Sequence, residues 1–183
     1  MKLFSNRVAL GAVLLLAAGS MGLAQIQRLT LSDMVQQTDG AIVGTIAASK
    51  VFRVDHPIDG PELYFTTLTI SGRSLVDQSE LAVDVTFPGG FITPDEGVWN
   101  SEAPSAEETR IGNRVVAFYK WLDNMGGDVA GNALYASHGG LYQVVQGRGA
   151  QVVLGKGDGY AVSANVALEA LDTEIAKLAQ AKK

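Results

Sequence analysis

The stretch ELAVDVTFPGG at residues 80–90 decides the fold. Apolar and polar residues alternate along it, which is the period-two pattern of a strand with one face on a core and the other in water. The predicted core face consists of Leu81, Val83, Val85 and Phe87. Pro88 ends the strand because proline cannot donate a hydrogen bond to a sheet, and Gly89 and Gly90 tolerate the positive φ of a turn.

Two runs of sequence before this strand predict its partners. Residues 41–53, AIVGTIAASKVFR, and residues 62–71, ELYFTTLTIS, are rich in β-branched and aromatic residues, which favour strands. The intervening DHPIDGP at 55–61 contains two prolines and a glycine, so the two runs form a long hairpin. Gly44 marks either a bulge or a close approach of another backbone.

The second half of the chain predicts more strands. Residues 113–121, NRVVAFYKW, are apolar on both faces, which indicates a central strand. Shorter strands separated by glycine-rich turns are predicted at 134–136, 141–146, 151–154 and 160–162. The chain is therefore predicted to be all-β, with an antiparallel meander that closes into a small barrel within one domain of residues 25–163.

Two helices flank the predicted strands. Residues 28–37 form a short helix in which Thr30 and Asp33 resemble a weakened capping box. Residues 164–183 form a C-terminal helix on the same domain, where it covers or plugs the barrel. Its apolar stripe is Leu168, Leu171, Ile175 and Leu178. A coiled-coil dimer is the alternative, although about two heptads are few for one.

The first 24 residues predict a signal peptide. Lys2 and Arg7 supply positive charge, residues 8–18 are apolar, and small residues precede a cleavage site before Gln25. The alternative is an uncleaved membrane anchor, because residues 8–24 carry no charge and their length lies at the bottom of the range of about 17 to 25 residues that can span a bilayer. The predicted location is periplasmic or extracellular.

The composition excludes several partners. The chain has 19 acidic and 14 basic residues and a net charge of −5. Nucleic acid and anionic lipid require a basic face, so neither is predicted as the main partner, and a membrane would be reached only through an uncleaved signal segment. The chain has no cysteine, so its core alone must hold the fold.

The acidic segment at residues 91–112 is the best candidate for a binding surface. Its length is uncommon in a compact domain, so it predicts either a functional lid or a mobile flap, and its acidic, small-residue composition favours the flap. Phe91, Trp99 and Glu102 are the predicted binding residues, because an exposed tryptophan beside acids can anchor in a partner's pocket. The alternative is that Trp99 folds back onto the barrel.

No catalytic, cofactor or metal site is predicted. Ser137 and His138 suggest a nucleophile and base with Asp128 as orienter, but adjacent side chains on an extended chain diverge. The DHPID sequence at 55–59 offers a histidine and two carboxylates, which more often form a solvated turn than a metal site. The GKGDG sequence at 155–159 has neither calcium-loop nor phosphate-loop spacing.

The order of these features resembles an uncharacterised group of secreted bacterial β-barrel domains that are OB-like. The resemblance runs from about Leu31 to about Val153, and its most specific pieces are the Pro-Gly-Gly at 88–90 and the sequence GNRVVAF at 112–118. It implies an OB-like barrel and carries no catalytic residue. Some members of the group are joined to zinc metalloprotease domains, but this chain has no HExxH sequence, so that activity does not transfer.

Together these observations predict a non-catalytic exported β-barrel that binds a protein, an envelope polymer or a small ligand at the 91–112 segment. Two alternatives stay open. One is a hydrolase whose residues come together from distant strands, and the other is a structural envelope subunit that acts through its sheet edges.

Overall fold

The computed structural model describes residues 28–182. The predicted signal segment lies outside the described residues. Two α-helices, α1 (Leu31–Gln37) and α2 (Leu168–Ala181), flank ten strands. The strands are β1 (Gly40–His56), β2 (Gly60–Ser74), β3 (Glu80–Pro88), β4 (Gly90–Thr93), β5 (Glu96–Val98), β6 (Arg114–Leu122), β7 (Gly131–Leu134), β8 (Leu141–Gln146), β9 (Gln151–Val153) and β10 (Val166–Ala167). Among the described residues, neither helix has the length and apolar character needed to cross a bilayer.

Five strands close into a barrel, as predicted for an OB-like domain. They lie in the order β1, β2, β3, β7 and β6, and β6 pairs with β1 to complete the ring. The sheet continues outside the barrel from β6 through β8, β9 and β10. The predicted meander of antiparallel strands is incomplete, because β3 and β7 are parallel. A parallel pair requires a crossover connection, which residues 89–130 provide.

The barrel interior is filled by alternate residues of its strands. Leu81, Val83, Val85 and Phe87 of β3 all pack there, which confirms the predicted core face. Ile42 and Ile46 of β1 and Leu68 and Ile70 of β2 meet them. Removal of this apolar surface from water stabilises the fold by about 25 cal/mol for each Å² buried.

The long hairpin of β1 and β2 is confirmed, and so is the close approach at Gly44. Gly44 pairs with Gly72 across the two strands. A Cβ atom at Gly44 would collide with the backbone of Ser71, and one at Gly72 would collide with the backbone of Val43 and Gly44. A register shift follows between Ile46 and Ala48, where a bulge bends the strand as it leaves the barrel.

Strand β6 is central, as its apolar character on both faces predicts. It pairs with β1, β7 and β8. Val115 and Ala117 face the barrel interior, whereas Val116 and Phe118 face a second core outside the barrel. A strand with cores on both sides excludes water from both faces, so it has no polar face.

The two helices cover this outer core. Thr30 caps α1 in a complete capping box with Asp33, and α1 contributes the buried residues Met34 and Val35. The predicted stripe of α2 is buried at Leu168, Leu171 and Ile175 and partly buried at Leu178. Because this stripe packs with Val43 and Val116 on the outer face of the barrel, α2 covers the barrel wall and does not plug an end.

Two of the shorter strands were placed wrongly by the sequence pattern. The strand predicted at 134–136 is β7 at Gly131–Leu134, because Ala136 and Ser137 adopt left-handed φ values of 54° and 51°. No strand forms at 160–162; the backbone there turns back on itself, with Lys156 N–H donating to Val162 O and Gly157 N–H donating to Ser163 O. The last strand is β10 at Val166–Ala167 instead.

Candidate binding cleft

The 91–112 segment is not the structureless connection that its composition indicates. Strands β4 and β5 form a small hairpin within it, and hydrogen bonds hold the rest. Asn100 Nδ2 donates to Pro88 O at 3.0 Å, and Asn113 Nδ2 donates to Glu107 O at 2.7 Å. At its end, Gly112 N–H donates to Ile46 O at 2.9 Å. The segment is therefore fixed to β1 and β3 at both ends.

A cleft of about 600 Å³ lies between this segment and the part of the β1–β2 hairpin that extends beyond the barrel. The barrel strands contribute Ser49, Val51, Thr66 and Phe87. The segment contributes ten residues from Phe91 to Thr109, among them Val98, Trp99, Asn100, Ala103 and Pro104, and Gly90 lies immediately before it. Phe87 and Ala103 also pack in the interior core, so the cleft is continuous with one end of the barrel.

The close packing of β4 onto the hairpin shapes the floor of the cleft. Thr66 Oγ1 donates to Gly89 O at 2.6 Å. A Cβ atom at Gly90 would collide with that hydroxyl and would press on Val51, and Gly90 has a φ of 133°. Only glycine combines the small size and the positive φ that this position requires, which explains the second glycine of the PGG sequence.

The wall of the cleft exposes large apolar side chains. Trp99 is 75% exposed and Phe91 is 49% exposed, and both line the cleft together with Val98. The interpretation in which Trp99 folds back onto the barrel is wrong, since most of its surface is in contact with solvent. Contiguous exposed apolar surface of this kind marks interaction sites.

The cleft is electrically neutral although the segment is acidic. None of the lining residues that the structure describes carries a charge. Glu108 instead turns away to form an ion pair with Lys156. Its pKa reflects opposing effects: burial of the carboxyl raises it, but hydrogen bonds from Lys156 and Ser105 outweigh burial and hold it below its ordinary value. A buried charge without a partner is unfavourable, so the cleft suits an uncharged group.

Glu102 does not join Phe91 and Trp99. A turn in which Ala103 N–H donates to Asn100 O directs the backbone of Glu102 towards His138. The carbonyl of Glu102 accepts hydrogen bonds from His138 N–H at 2.8 Å and from His138 Nδ1 at 3.1 Å. Glu102 borders a separate cavity of about 160 Å³ with His138 and Tyr160. The structure thus brings together two of the three predicted binding residues.

The structure does not assemble a serine, histidine and aspartate group. Both ring nitrogens of His138 have other hydrogen-bond partners. The hydroxyl of Tyr160 lies 2.7 Å from Nε2, and Nδ1 bonds to the Glu102 carbonyl. Asp128 lies against His56 instead, with 3.2 Å between Oδ2 and Nε2. Within residues 28–182 there is no cluster of three or more histidine or acidic side chains that could hold a metal ion.

Sequence reasoning missed the strand residues of the cleft. Ser49, Val51 and Thr66 come from the hairpin, 33 to 50 residues before Trp99. The signal that could have found them is the alternation in β1, because Ser49 and Val51 share one face beyond the bulge.

Comparison of the chain with protein-family models, with curated proteins and with solved structures gave no significant match in any of the three. The resemblance to secreted barrel domains stays a prediction, and the cleft is interpreted from its own chemistry.

Proposed function

We propose that this chain is an exported, non-catalytic binding module whose cleft receives an uncharged, apolar group of a protein, an envelope polymer or a small ligand. The observation that carries this proposal is a neutral cleft with Phe91 and Trp99 exposed on its wall. The export of the chain is supported by the N-terminal sequence.

Two physical effects would drive binding. Full burial of one large apolar side chain is worth about 1.5 to 3 kcal/mol, and both Phe91 and Trp99 have surface left to bury. In addition, the wall is already fixed by hydrogen bonds such as that from Asn100 to Pro88. A site that is ordered before binding loses less conformational freedom on complex formation.

The proposal is tested with Nile red, a neutral aromatic dye whose fluorescence rises in apolar surroundings. The dye is titrated into the native chain and into the variants Trp99→Ala, Phe91→Ala and Trp121→Ala. Trp121 is the matched control because it is also an exposed tryptophan, at 52%, and lies outside the cleft lining. Trp99→Ala is expected to weaken dye binding about tenfold, a change typical of an interface hot spot.

The control decides between a specific cleft and general surface adsorption. Trp121→Ala is expected to leave dye binding within about twofold of the native chain, since surface substitutions away from special features have small effects. Equal losses in the two tryptophan variants, or no loss in Trp99→Ala and Phe91→Ala, would remove the cleft as the binding site. Circular dichroism confirms that each variant retains the fold.

A further inference from the structure

One edge of β1 has no partner strand beside the cleft. Strand β1 pairs with β2 from Ile42 to His56, but it pairs with β6 only from Gly40 to Thr45. The pairing ends at Ile46, whose N–H donates to Asn113 O and whose carbonyl accepts from Gly112 N–H. In the part of the chain that the structure describes, no strand pairs with the second edge of β1 from residue 48 to residue 54. An open edge is a template for another chain.

The register identifies which backbone groups point to this edge. Gly89 N–H donates to Tyr64 O at 2.7 Å, so the backbone groups of Tyr64 point towards β3. Backbone direction alternates along a strand, so those of Thr66 and Leu68 also point towards β3. Their partners in β1 therefore direct both N–H and C=O away from β2, to the open edge. These partners are Ser49, Val51 and Arg53.

The same residues connect the open edge to the cleft. The side chains of Ser49 and Val51 line the cleft, while their backbone groups face the edge. Side chains of neighbouring strands at the same level lie on the same face of a sheet. A strand added to this edge would thus direct alternate side chains into the cleft, towards Phe91 and Trp99.

We propose that the occupant is an extended peptide that adds as a strand to residues 48–54 of β1 and inserts apolar side chains into the cleft. This inference rests on the proposed function and specifies its partner. Backbone hydrogen bonds supply affinity in such strand addition, and the pockets for alternate side chains supply specificity. The residues that enter the cleft are uncharged, because the lining that the structure describes is uncharged.

The charge of the edge defines the peptide further. Lys50 lies in the middle of the open stretch, is exposed, and has no salt-bridge partner among the described residues. Arg53, by contrast, is already paired with Asp55 and Glu62. Opposite charges across paired strands are favourable, so the peptide carries an acidic residue next to Lys50, on the face that does not enter the cleft.

The experiment begins with a library of short random peptides displayed on phage and selected on the full chain. We expect enrichment of sequences in which an aromatic or large aliphatic residue alternates with polar residues that include an acid. An enriched peptide is synthesised with a fluorescent label, and its Kd is measured by anisotropy for the native chain, Ser49→Pro, Ser49→Ala and Trp99→Ala. No enrichment of any peptide would overturn the proposal.

The two substitutions at Ser49 separate backbone pairing from side-chain contact. Proline removes the outward N–H and leaves the ladder to β2 intact, since that N–H does not point to β2. Alanine removes the hydroxyl and keeps the N–H. Both variants lack the hydroxyl and differ at the N–H, so we expect Ser49→Pro to bind the peptide at least about tenfold more weakly than Ser49→Ala does, the effect of losing an interface hot spot.

Dye and peptide results together distinguish the two proposals. If Ser49→Pro binds Nile red as tightly as Ser49→Ala does and loses the peptide that Ser49→Ala still binds, strand addition is supported. If Ser49→Pro binds the peptide as the native chain does while Trp99→Ala does not, the cleft binds the ligand but the proposal of strand addition is wrong. If neither Ser49→Pro nor Trp99→Ala weakens binding of the dye or of the peptide, both proposals fail.

A charge reversal at Lys50 tests the register of the added strand. Lys50→Glu should weaken binding of the acidic peptide and favour a version with lysine in place of the acid. Loss of binding of both peptides would contradict the assigned register.

Discussion

Lys156 and Glu108 form an ion pair that joins the turn after β9 to the segment forming the wall of the cleft. Both side chains are largely buried, with 15% and 24% of their surfaces exposed. The ammonium group of Lys156 also donates to His138 O at 2.7 Å, and the carboxylate of Glu108 accepts from Ser105 N–H at 2.9 Å. One lysine therefore connects three loops, and it orders the far end of the cleft wall.

Removal of this pair should loosen the wall of the cleft. Glu108→Gln and Lys156→Met are each expected to lower the free energy of unfolding by about 1.5 to 3 kcal/mol, the range for hydrogen bonds to charged groups. Urea denaturation measures this change, with Glu107→Gln as the matched control because Glu107 is exposed and has no ion pair among the described residues. Equal stability of the control and the Glu108 variant would contradict this role.

The ion pair also makes stability depend on pH. Because the pKa of Glu108 in the folded chain lies below its ordinary value of 4.5, the contribution is fully present above that value and is lost as pH falls through the folded pKa. The native chain should therefore lose stability below about pH 4.5 more steeply than Glu108→Gln. Parallel acid titration of the two unfolding free energies measures the difference, and superimposable curves would exclude the effect.

The hydrogen bonds of the two histidines require opposite tautomers when each ring is neutral. His138 Nδ1 lies 3.1 Å from the Glu102 carbonyl, which can only accept, so Nδ1 carries the hydrogen and Nε2 accepts from Tyr160. His56 Nδ1 accepts from Asp59 N–H at 3.0 Å, so its hydrogen is on Nε2, towards Asp128. Nitrogen NMR of the imidazole rings above neutral pH distinguishes the two forms, and each ring serves as the control for the other.

A substitution tests the assignment at His138. Tyr160→Phe removes the hydroxyl that lies 2.7 Å from His138 Nε2, so it is expected to cost about 1 kcal/mol and to shift the Nε2 resonance without changing that of Nδ1. The His56 resonances should not move. The same tautomer in both rings, or an Nε2–H form of His138, would show that these hydrogen bonds are assigned wrongly.

The contact between β1 and β2 at Gly44 and Gly72 should tolerate no side chain. A Cβ atom at Gly72 would overlap Val43 O and Gly44 Cα, which are backbone atoms of a barrel strand and cannot move aside. Gly72→Ala is expected to lower the free energy of unfolding by more than about 2 kcal/mol through overpacking. Gly139→Ala is the control, because its Cβ would lie 3.5 Å from the Tyr160 ring at an ordinary contact distance. Similar stability of the two variants would contradict the packing.

The strands that alternate or are continuously apolar could be predicted from the sequence. Strand β3 was predictable because each inward residue is apolar, and β6 because both of its faces meet a core. The parallel pairing of Val85 with Asn132 was not predictable, since β7 is four residues long and its partner lies about 47 residues away. Nothing local in a short strand specifies which distant edge it joins.

The candidate site was only partly predictable for a similar reason. Phe91 and Trp99 could be chosen because large apolar residues within an acidic segment are conspicuous. Glu102 is predicted because it is an acid close to Trp99 in the sequence, but the turn between Asn100 and Ala103 directs its backbone to His138. Ser49 and Val51 enter the cleft because the hairpin continues beyond the barrel, and that extension depends on where β6 ends its pairing with β1.

Tyr142 should make the chain lose stability at high pH. Its side chain is buried in the outer core, edge-on to Phe118 at a centroid distance of 6.2 Å. Burial disfavours the phenolate and raises the pKa of Tyr142 to about 12 from an ordinary value of 10.0. The unfolded chain therefore releases this proton first, so the stability that the neutral phenol contributes is complete below pH 10 and is lost as pH rises towards about 12. The loss is expected to be on the order of 2 to 3 kcal/mol. Urea denaturation across this range measures it in the native chain and in Tyr142→Phe, which cannot ionise and should lack that part of the decline. Equal declines in the two proteins would show that other groups govern alkaline unfolding.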